Sequence, residues 1–349
     1  MQIIVQFNKA IVIGHGSIGE RHADYLKNFV NSIIVVDPKV GQENLVQNKI
    51  YYPNPKFLKS IDLLNFKITS EDVVVISNWG PDHYSTVSYV ISKGAKKIVL
   101  EKPCADSLKE LDELRMLAID SRCKIVVNHH WFHLNLGHRI NLLARSLSLG
   151  EVVAIWIHGG ARCISTAGSH WINLANQIYA SNPKRIFAAS NSNNINPRGS
   201  HLGYYDGVFS FEYNDFKRLA ISLTNLSSIE GTFEIYWRDA FGVLNGESIK
   251  ILKTNEQSVS PKITLYNNPT EEIFNDVIPY FNYSEHNQMN SLYNSILEKS
   301  NSQLLSDLEE HLNTTKAILY ALISSSTGQL IEFDSKVNLK FYDQKFNIS

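Results

Sequence analysis

Gly14, Gly16 and Gly19 stand at the spacing GxGxxG, directly after the apolar, β-branched run Ala10 to Ile13 and directly before ERHADYLKNF, which can continue as a helix. Strand, tight turn and helix in that order suit a dinucleotide pyrophosphate. The first glycine turns the chain, the second lets the backbone approach the phosphates, and the third lets helix lie close on strand. The helix N-terminus, with Ser17 and Ile18 in its first turn, then offers partial positive charge to the anion. A second apolar run, Ile33 to Val36, ends at Asp37. An acid placed about 20 residues past the glycines can accept hydrogen bonds from the adenosine ribose hydroxyls and repel a 2′-phosphate. The expected cofactor is therefore NAD rather than NADP, with Lys39 keeping NADP open. A glycine-rich turn in an ordinary βαβ unit is the plainer reading, and it leaves Asp37 without a purpose.

Lys102 follows the run Lys97 to Leu100 in the sequence LEKP. A lysine at the carboxyl end of a parallel strand, with a proline fixing the backbone after it, projects into the nicotinamide crevice, where its ammonium can bond both ribose and a reacting oxygen. A surface ion pair with Glu101 is the alternative. His170, in GSHWINL, opens a helix pattern. Its imidazole, with a resting pKa near neutrality, can take a hydroxyl proton as hydride leaves an alcohol. A structural histidine is an equally good reading of that residue by itself.

Other polar residues fall at strand ends, where a doubly wound sheet binds its ligand: Asn78, Trp79, Pro81 and His83 in one loop, Glu101 beside Lys102, and Asn128. His129, His130 and His133 invite a metal reading, but adjacent strand residues point to opposite faces, so no metal is expected. Substrate contact by His130 or Trp131 is the better use. Arg162 could bind a substrate carboxylate or phosphate, or face solvent. Tyr204, Tyr205 and Asp206 open a strand that could border the same cleft.

The elements that must position these residues alternate through the first third. Asp72 to Ser77, Lys97 to Leu100 and Lys124 to Val127 read as buried parallel strands; Tyr84 to Ser92 and Leu108 to Ser121 read as helices. After Asn128 the pattern changes. A helix over Leu136 to Leu149 precedes EVVAIWIH, GVFSFEY, RLAISLT, TFEIYW and ESIKILK, whose alternation indicates a half-buried, largely antiparallel sheet, with a helix over Ser169 to Ala180 after its first strand. Glu285 to Lys299 and Leu304 to Ile323 read as helices that return to the body, and Ser190 to Ser200 as a surface loop. The fold class is α/β, with a Rossmann domain over 1–128 and an α+β domain with an open, largely antiparallel mixed sheet over 129–349.

With 349 residues the chain suits two domains, and a formal charge of −1 with 44% hydrophobic residues describes a globular protein without the positive excess of a nucleic-acid or membrane-surface binder. No apolar run approaches the length of a bilayer crossing. The N-terminal MQIIVQFNKAIVI lacks the basic start and cleavage site of a signal peptide. The three cysteines, Cys104, Cys123 and Cys163, lie far apart without a CxxC, which points to a reduced, cytoplasmic compartment.

Taken together, GHGSIGERH, SNWGPDHYSTV, LEKP, VVNHHWFH and GSHWINL, in this order, resemble the glucose-fructose oxidoreductase, inositol dehydrogenase and MocA family over nearly the whole chain. The resemblance implies a Rossmann domain followed by a domain built on an open mixed sheet, self-association as a dimer or tetramer through that sheet, and pyridine-nucleotide redox chemistry on a sugar, polyol or related carbonyl compound. It assigns Lys102 and His170 to catalysis. Three positions depart from the family pattern. Asn173 stands where an aspartate usually follows the histidine by one helical turn, and Thr166 replaces another aspartate frequent before it; Ser85 stands where a histidine commonly follows Pro81. Asn173 can bond substrate or imidazole but cannot stabilise an imidazolium as an anion would, which leaves a different proton acceptor such as Lys102, an altered substrate, or no catalysis. The expected activity is hydride exchange between NAD and a secondary alcohol or ketone of a sugar or sugar nucleotide, with surface-polysaccharide synthesis as an attractive setting. The alternatives are a non-catalytic NAD-binding sensor and an imine or enone reductase.

Overall fold

A computed structural model describes residues 6–40, 52–160, 162–191, 196, 199–200, 202–229, 231–254, 270–279, 281–282, 284–335 and 339–348. Residues 1–5 of the N-terminal run, and 192–195, 197 and 198 of the expected surface loop, lie outside them.

The chain divides into two compact units, and the division does not fall at one point in the sequence. The first unit joins residues 1–129 to 288–316 and 338–349; the second joins 130–287 to 317–337. The expected division into 1–128 and 129–349 thus differs from the observed one in the return segments. Their apolar residues explain why: Met289, Leu292, Tyr293, Ile296 and Leu304 complete the core around Phe7, Val12, Val35, Val73 and Val126.

In the first unit six parallel strands, β1 (Phe7–Ile13), β2 (Val30–Val36), β3 (Lys56–Leu58), β4 (Val73–Ile76), β5 (Lys97–Leu100) and β6 (Lys124–Val127), lie in the order β3-β2-β1-β4-β5-β6. The central strands are buried on both faces, so they read as unbroken runs of Val and Ile rather than as alternation. Strand order reverses between β1 and β4, and beyond the carboxyl ends of those two strands lies the crevice such sheets use for ligands. The helix Ser17–Leu26 buries Gly19, His22, Ala23 and Leu26 at helical spacing; burial of Leu26 alone is worth about 1.5–3 kcal/mol.

In the second unit a nine-stranded sheet is built from β7 (Val152–Gly160), β8 (Arg185–Asn191), β9 (Asp206–Glu212), β10 (Arg218–Thr224), β11 (Thr232–Trp237), β12 (Ala240–Asn245), β13 (Ser248–Thr254), β14 (Thr270–Val277) and β15 (Ile331–Glu332). The order is β14-β13-β12-β11-β7-β10-β9-β8-β15, and every neighbouring pair is antiparallel except β7 with β10. Leu219, Ile221 and Leu223 of β10 are buried, whereas Ala220 and Ser222 on the other face stay half-buried. β12 did not stand out in the sequence because Gly242 interrupts its apolar pattern. A side chain there would meet the Trp237 ring at 2.9 Å, and the indole covers the position instead.

Candidate functional site

The glycine turn in the first unit shows which of its residues the fold itself demands. Gly14 has φ +83°, and a Cβ on it would lie 2.4 Å from the Asn78 nitrogen; a Cβ on Gly19 would lie 2.0 Å from the Gly14 carbonyl oxygen. These two glycines are required by close packing of turn, helix and β4. Gly16 is different. It is exposed, and a Cβ there would meet nothing within 4 Å, so its smallness serves an approach from outside the chain. Gly16 is also the N-cap of the helix Ser17–Leu26, with no side-chain capping bond. The open backbone and uncapped first turn at Ser17 and Ile18 fit a pyrophosphate.

Asp37 reaches back to this turn. Its Oδ2 accepts the His15 backbone N–H at 2.7 Å and its Oδ1 accepts that of Lys39 at 2.8 Å. Both bonds orient the carboxylate, and each oxygen keeps acceptor capacity for a ribose hydroxyl. Two residues that sequence reasoning missed support the same turn. The Ser77 hydroxyl donates to the Gly14 carbonyl at 2.8 Å, and Tyr52 lies edge-on to His15 with its hydroxyl 3.4 Å from Nε2. Ser77 could have been found as the polar residue ending β4; nothing in the sequence ties Tyr52 to His15.

The loop 78–83 carries Asn78, Trp79, Pro81 and His83. Asn78 donates through Nδ2 to Thr86 at 2.9 Å, and its Oδ1 is buried with no hydrogen-bond partner, an acceptor that a cofactor donor would satisfy. Trp79 is exposed. His83 is placed otherwise than a cofactor ligand would be. It is 1% exposed, with Nδ1 2.7 Å from the Pro103 carbonyl and Nε2 3.2 Å from the Asn78 carbonyl, so it joins two loops inside the unit. Burial pushes its pKa down. Pro81 lies in the tight turn Gly80–Asp82, and Ser85 is exposed, donating to the Asp82 carbonyl.

Glu101 and Asn128 belong to a buried network with His22. Asn128 Nδ2 donates to Glu101 Oε1 at 2.6 Å, and His22 Nε2 lies 3.1 Å from the same oxygen. Burial alone would raise the Glu101 pKa; His22, Lys102 and Asn128 outweigh it and hold the carboxyl at about 2. Glu101 is only 6% exposed, so it is an interior group and no part of a surface ion pair. Lys102 stands between it and Pro103, half-buried, with a cis peptide to the proline.

The second unit holds His170 at the start of the helix Ser169–Tyr179, after a single wide turn over Ile164–Gly168. Its ring centroid lies 4.1 Å from that of His130 and 6.0 Å from that of Trp131, and Trp131 in turn meets Phe233 edge-on at 6.2 Å. His130, Trp131 and His170 are thus brought together. Asn173 is 1% exposed, and its Oδ1 accepts the Gln177 amide at 2.9 Å. Thr166 donates to the Cys163 carbonyl, Arg162 is exposed, and Ile164 N donates to the Tyr205 carbonyl, which ties the Arg162 loop to the segment before β9. Asp206 accepts the Asn225 N–H. His129 diverges from its neighbour His130: in the first unit it stacks on His311, with their Nδ1 atoms 3.1 Å apart. Among the described residues no three His, Cys, Asp or Glu side chains are grouped to hold a metal, and no helix is long and apolar enough to cross a membrane.

Residues 8–129 match the Gfo/Idh/MocA family, described as an oxidoreductase family with an NAD-binding Rossmann fold. No curated protein sequence matches the chain. Among solved structures, an Agrobacterium radiobacter oxidoreductase in complex with NAD+, L-tartaric acid and magnesium is 14% identical, with a TM-score of 0.66 over 94% of this chain and 98% of its own. The UDP-N-acetylglucosamine 3-dehydrogenase of Acidithiobacillus ferrooxidans is 14% identical, with a TM-score of 0.66 over 91% and 97%. The myo-inositol 2-dehydrogenase of Lactobacillus plantarum is 14% identical, with a TM-score of 0.66 over 93% and 99%. At such identities the likeness is one of fold, and it extends through both units.

Proposed function

We propose, from the membership of residues 8–129 in the Gfo/Idh/MocA family of NAD-binding oxidoreductases, that this chain interconverts a secondary alcohol and a ketone on a sugar or nucleotide-activated sugar, in the cytoplasm. The observation that carries the cofactor half is Gly16, open to the outside at an uncapped helix N-terminus, with Asp37 fixed beside it. Nicotinamide supplies the hydride exchange. The chain supplies the rest. Lys102 polarises the reacting oxygen and His170 exchanges the hydroxyl proton. His130 and Trp131 border the substrate, with Arg162 and Thr166 on the loop ahead of His170. Asn173, bonded to Gln177 within its own helix, positions that helix turn.

The sugar class is supported by fold relatives that act on inositol and on UDP-N-acetylglucosamine and by the aromatic surface at Trp131, against which the C–H face of a sugar ring can pack. Surface-polysaccharide synthesis is the setting in which a sugar nucleotide would be met. Self-association through the sheet of the second unit is part of the same reading, since Trp156, Phe187 and Val208 are each exposed on it.

The test is a panel of polyols, free sugars and UDP-sugars with NAD, followed by NADH absorbance. Turnover of at least one sugar-type alcohol is expected. NADH binding without turnover of any of them would favour a sensor, a reading to which Asn173 in place of an acid lends support.

A further inference from the structure

Behind the glycine turn, four segments of the first unit are joined by one chain of hydrogen bonds. The Tyr293 hydroxyl lies 2.7 Å from His22 Nδ1; His22 Nε2 lies 3.1 Å from Glu101 Oε1; Asn128 Nδ2 donates to that oxygen at 2.6 Å. His22 and Tyr293 have no exposed surface. The roles follow from what each group can do. An ionised carboxylate only accepts, so His22 directs Nε2–H at Glu101, while Nδ1 stays within hydrogen-bond distance of the Tyr293 hydroxyl. Tyr293 is itself held by stacking on Tyr25, with centroids 5.1 Å apart and planes 8° from parallel.

A buried imidazole and a buried carboxylate cost more than apolar residues of the same volume unless they accomplish something a core does not. Here the position of each end is informative. His22 is in the second turn of the helix whose N-terminus forms the phosphate site, and Glu101 immediately precedes Lys102. A shift of that helix moves the donor on Glu101, and with it the backbone that carries the lysine.

We propose that His22 is a positioning residue for the cofactor, setting the placement of Lys102 through Glu101 so that occupation of the helix N-terminus and the grip of Lys102 are coupled. The proposal rests on the reading of Lys102 given above. The charged and titratable groups facing Glu101 are His22, Lys102, Tyr293 and His83.

NADH titration of the full chain, read by fluorescence, tests it. His22→Leu weakens binding about tenfold or more, while His22→Gln, whose amide can donate to Glu101, recovers most of the loss. In the double variant with Lys102→Met, the two losses are not additive, because they act on one grip. A second readout separates positioning from mere packing. With His22 present the Glu101 carboxyl is held at about 2, so the parent shows no Glu101 limb between about pH 5 and 8; in His22→Leu burial is opposed by fewer partners, and NADH affinity falls as pH is lowered. Should His22→Leu fold poorly, Tyr293→Phe removes only the hydroxyl that meets His22 Nδ1 and gives a smaller loss in the same direction. Parent-like affinity in His22→Leu beside a weakened Lys102→Met, additive losses, or a loss that His22→Gln does not recover and pH does not modulate, each overturns the proposal. Parent-like affinity in Lys102→Met instead overturns the reading of the lysine and the coupling with it.

Discussion

Asp37 and His15 are bonded across the nucleotide turn, the carboxylate of one accepting the backbone N–H of the other at 2.7 Å. The acid that follows β2 is therefore a structural member of the glycine loop as well as the group proposed to meet the adenosine ribose. Asp37→Ala removes both functions. A hydrogen bond to a charged group is worth about 1.5–3 kcal/mol, so NAD affinity should fall roughly tenfold to a hundredfold, while NADP, freed from repulsion, should lose less. Calorimetric titration of both dinucleotides checks this, and a parent protein that prefers NADP would refute the assignment.

His170 should be needed for turnover but not for the cofactor, which belongs to the other unit. As a general base it contributes roughly 10² to 10⁴ in rate. His170→Ala should lose turnover in that range once a substrate is known, with NADH affinity unchanged. A variant as active as the parent would place the proton acceptor elsewhere, with Lys102 the next group to test.

Asn173→Asp places an acid at an interior position. The new oxygen can still accept the Gln177 amide, but a charge at a position 1% exposed must find a partner. The expected outcome has two parts: a lower melting temperature, and a rate profile whose acid limb moves to higher pH, because an anion one turn from His170 favours the imidazolium. A lowered melting temperature with an unmoved profile would show that Asn173 does not reach His170 electrostatically.

Asp106 makes a prediction about stability. Its carboxyl is fully buried, 3.1 Å from the Lys345 ammonium and close to Glu110, which bonds the same lysine. Burial and Glu110 together raise its pKa from 3.8 to about 7, against the pull of Lys345. A carboxyl whose folded pKa is raised binds its proton more tightly folded than unfolded, so its contribution is most favourable below about pH 4 and is lost as pH rises toward 7. Asp106→Asn should therefore raise the melting temperature more at pH 8 than at pH 5. An equal shift at both values would show that Asp106 is ionised throughout.

Much of the candidate nucleotide turn is legible in the sequence because its signal is local. Gly14, Gly16, Gly19 and Asp37 lie within two strands and one helix, and the buried parallel strands appear as unbroken Val and Ile runs. What was not legible depends on contacts between distant segments. His22 meets Tyr293 across 271 positions of sequence, and no pattern around either residue announces the other. His83 reads as a cofactor residue because it shares a strand-end loop with Asn78, Trp79 and Pro81; only the fold shows two backbone carbonyls at its ring nitrogens. Likewise, Asn173 read as a departure from an acidic pattern, and its bond to Gln177 explains how the helix accommodates the amide.

The open face of the second unit supplies the last prediction. Along β7, β8 and β9 the side chains of Trp156, Phe187 and Val208 are 44%, 44% and 54% exposed, and Trp156 adjoins Tyr236 of β11, with ring centroids 5.3 Å apart. Isolated exposed apolar residues need no explanation, but these recur on one side of β7, β9 and β8, with Ala220 and Ser222 of β10 half-buried between them, where a second sheet of the same kind would cover them. Placing Lys at Val208 and Glu at Trp156 puts charge at the centre of that surface without altering the inward residues Phe209 and Ile157, which are buried. Light scattering should show the parent as a dimer or tetramer and the double variant as a smaller species with unchanged NADH affinity. A parent that is monomeric at micromolar concentration, or a variant of unchanged mass, would rule out association through this face.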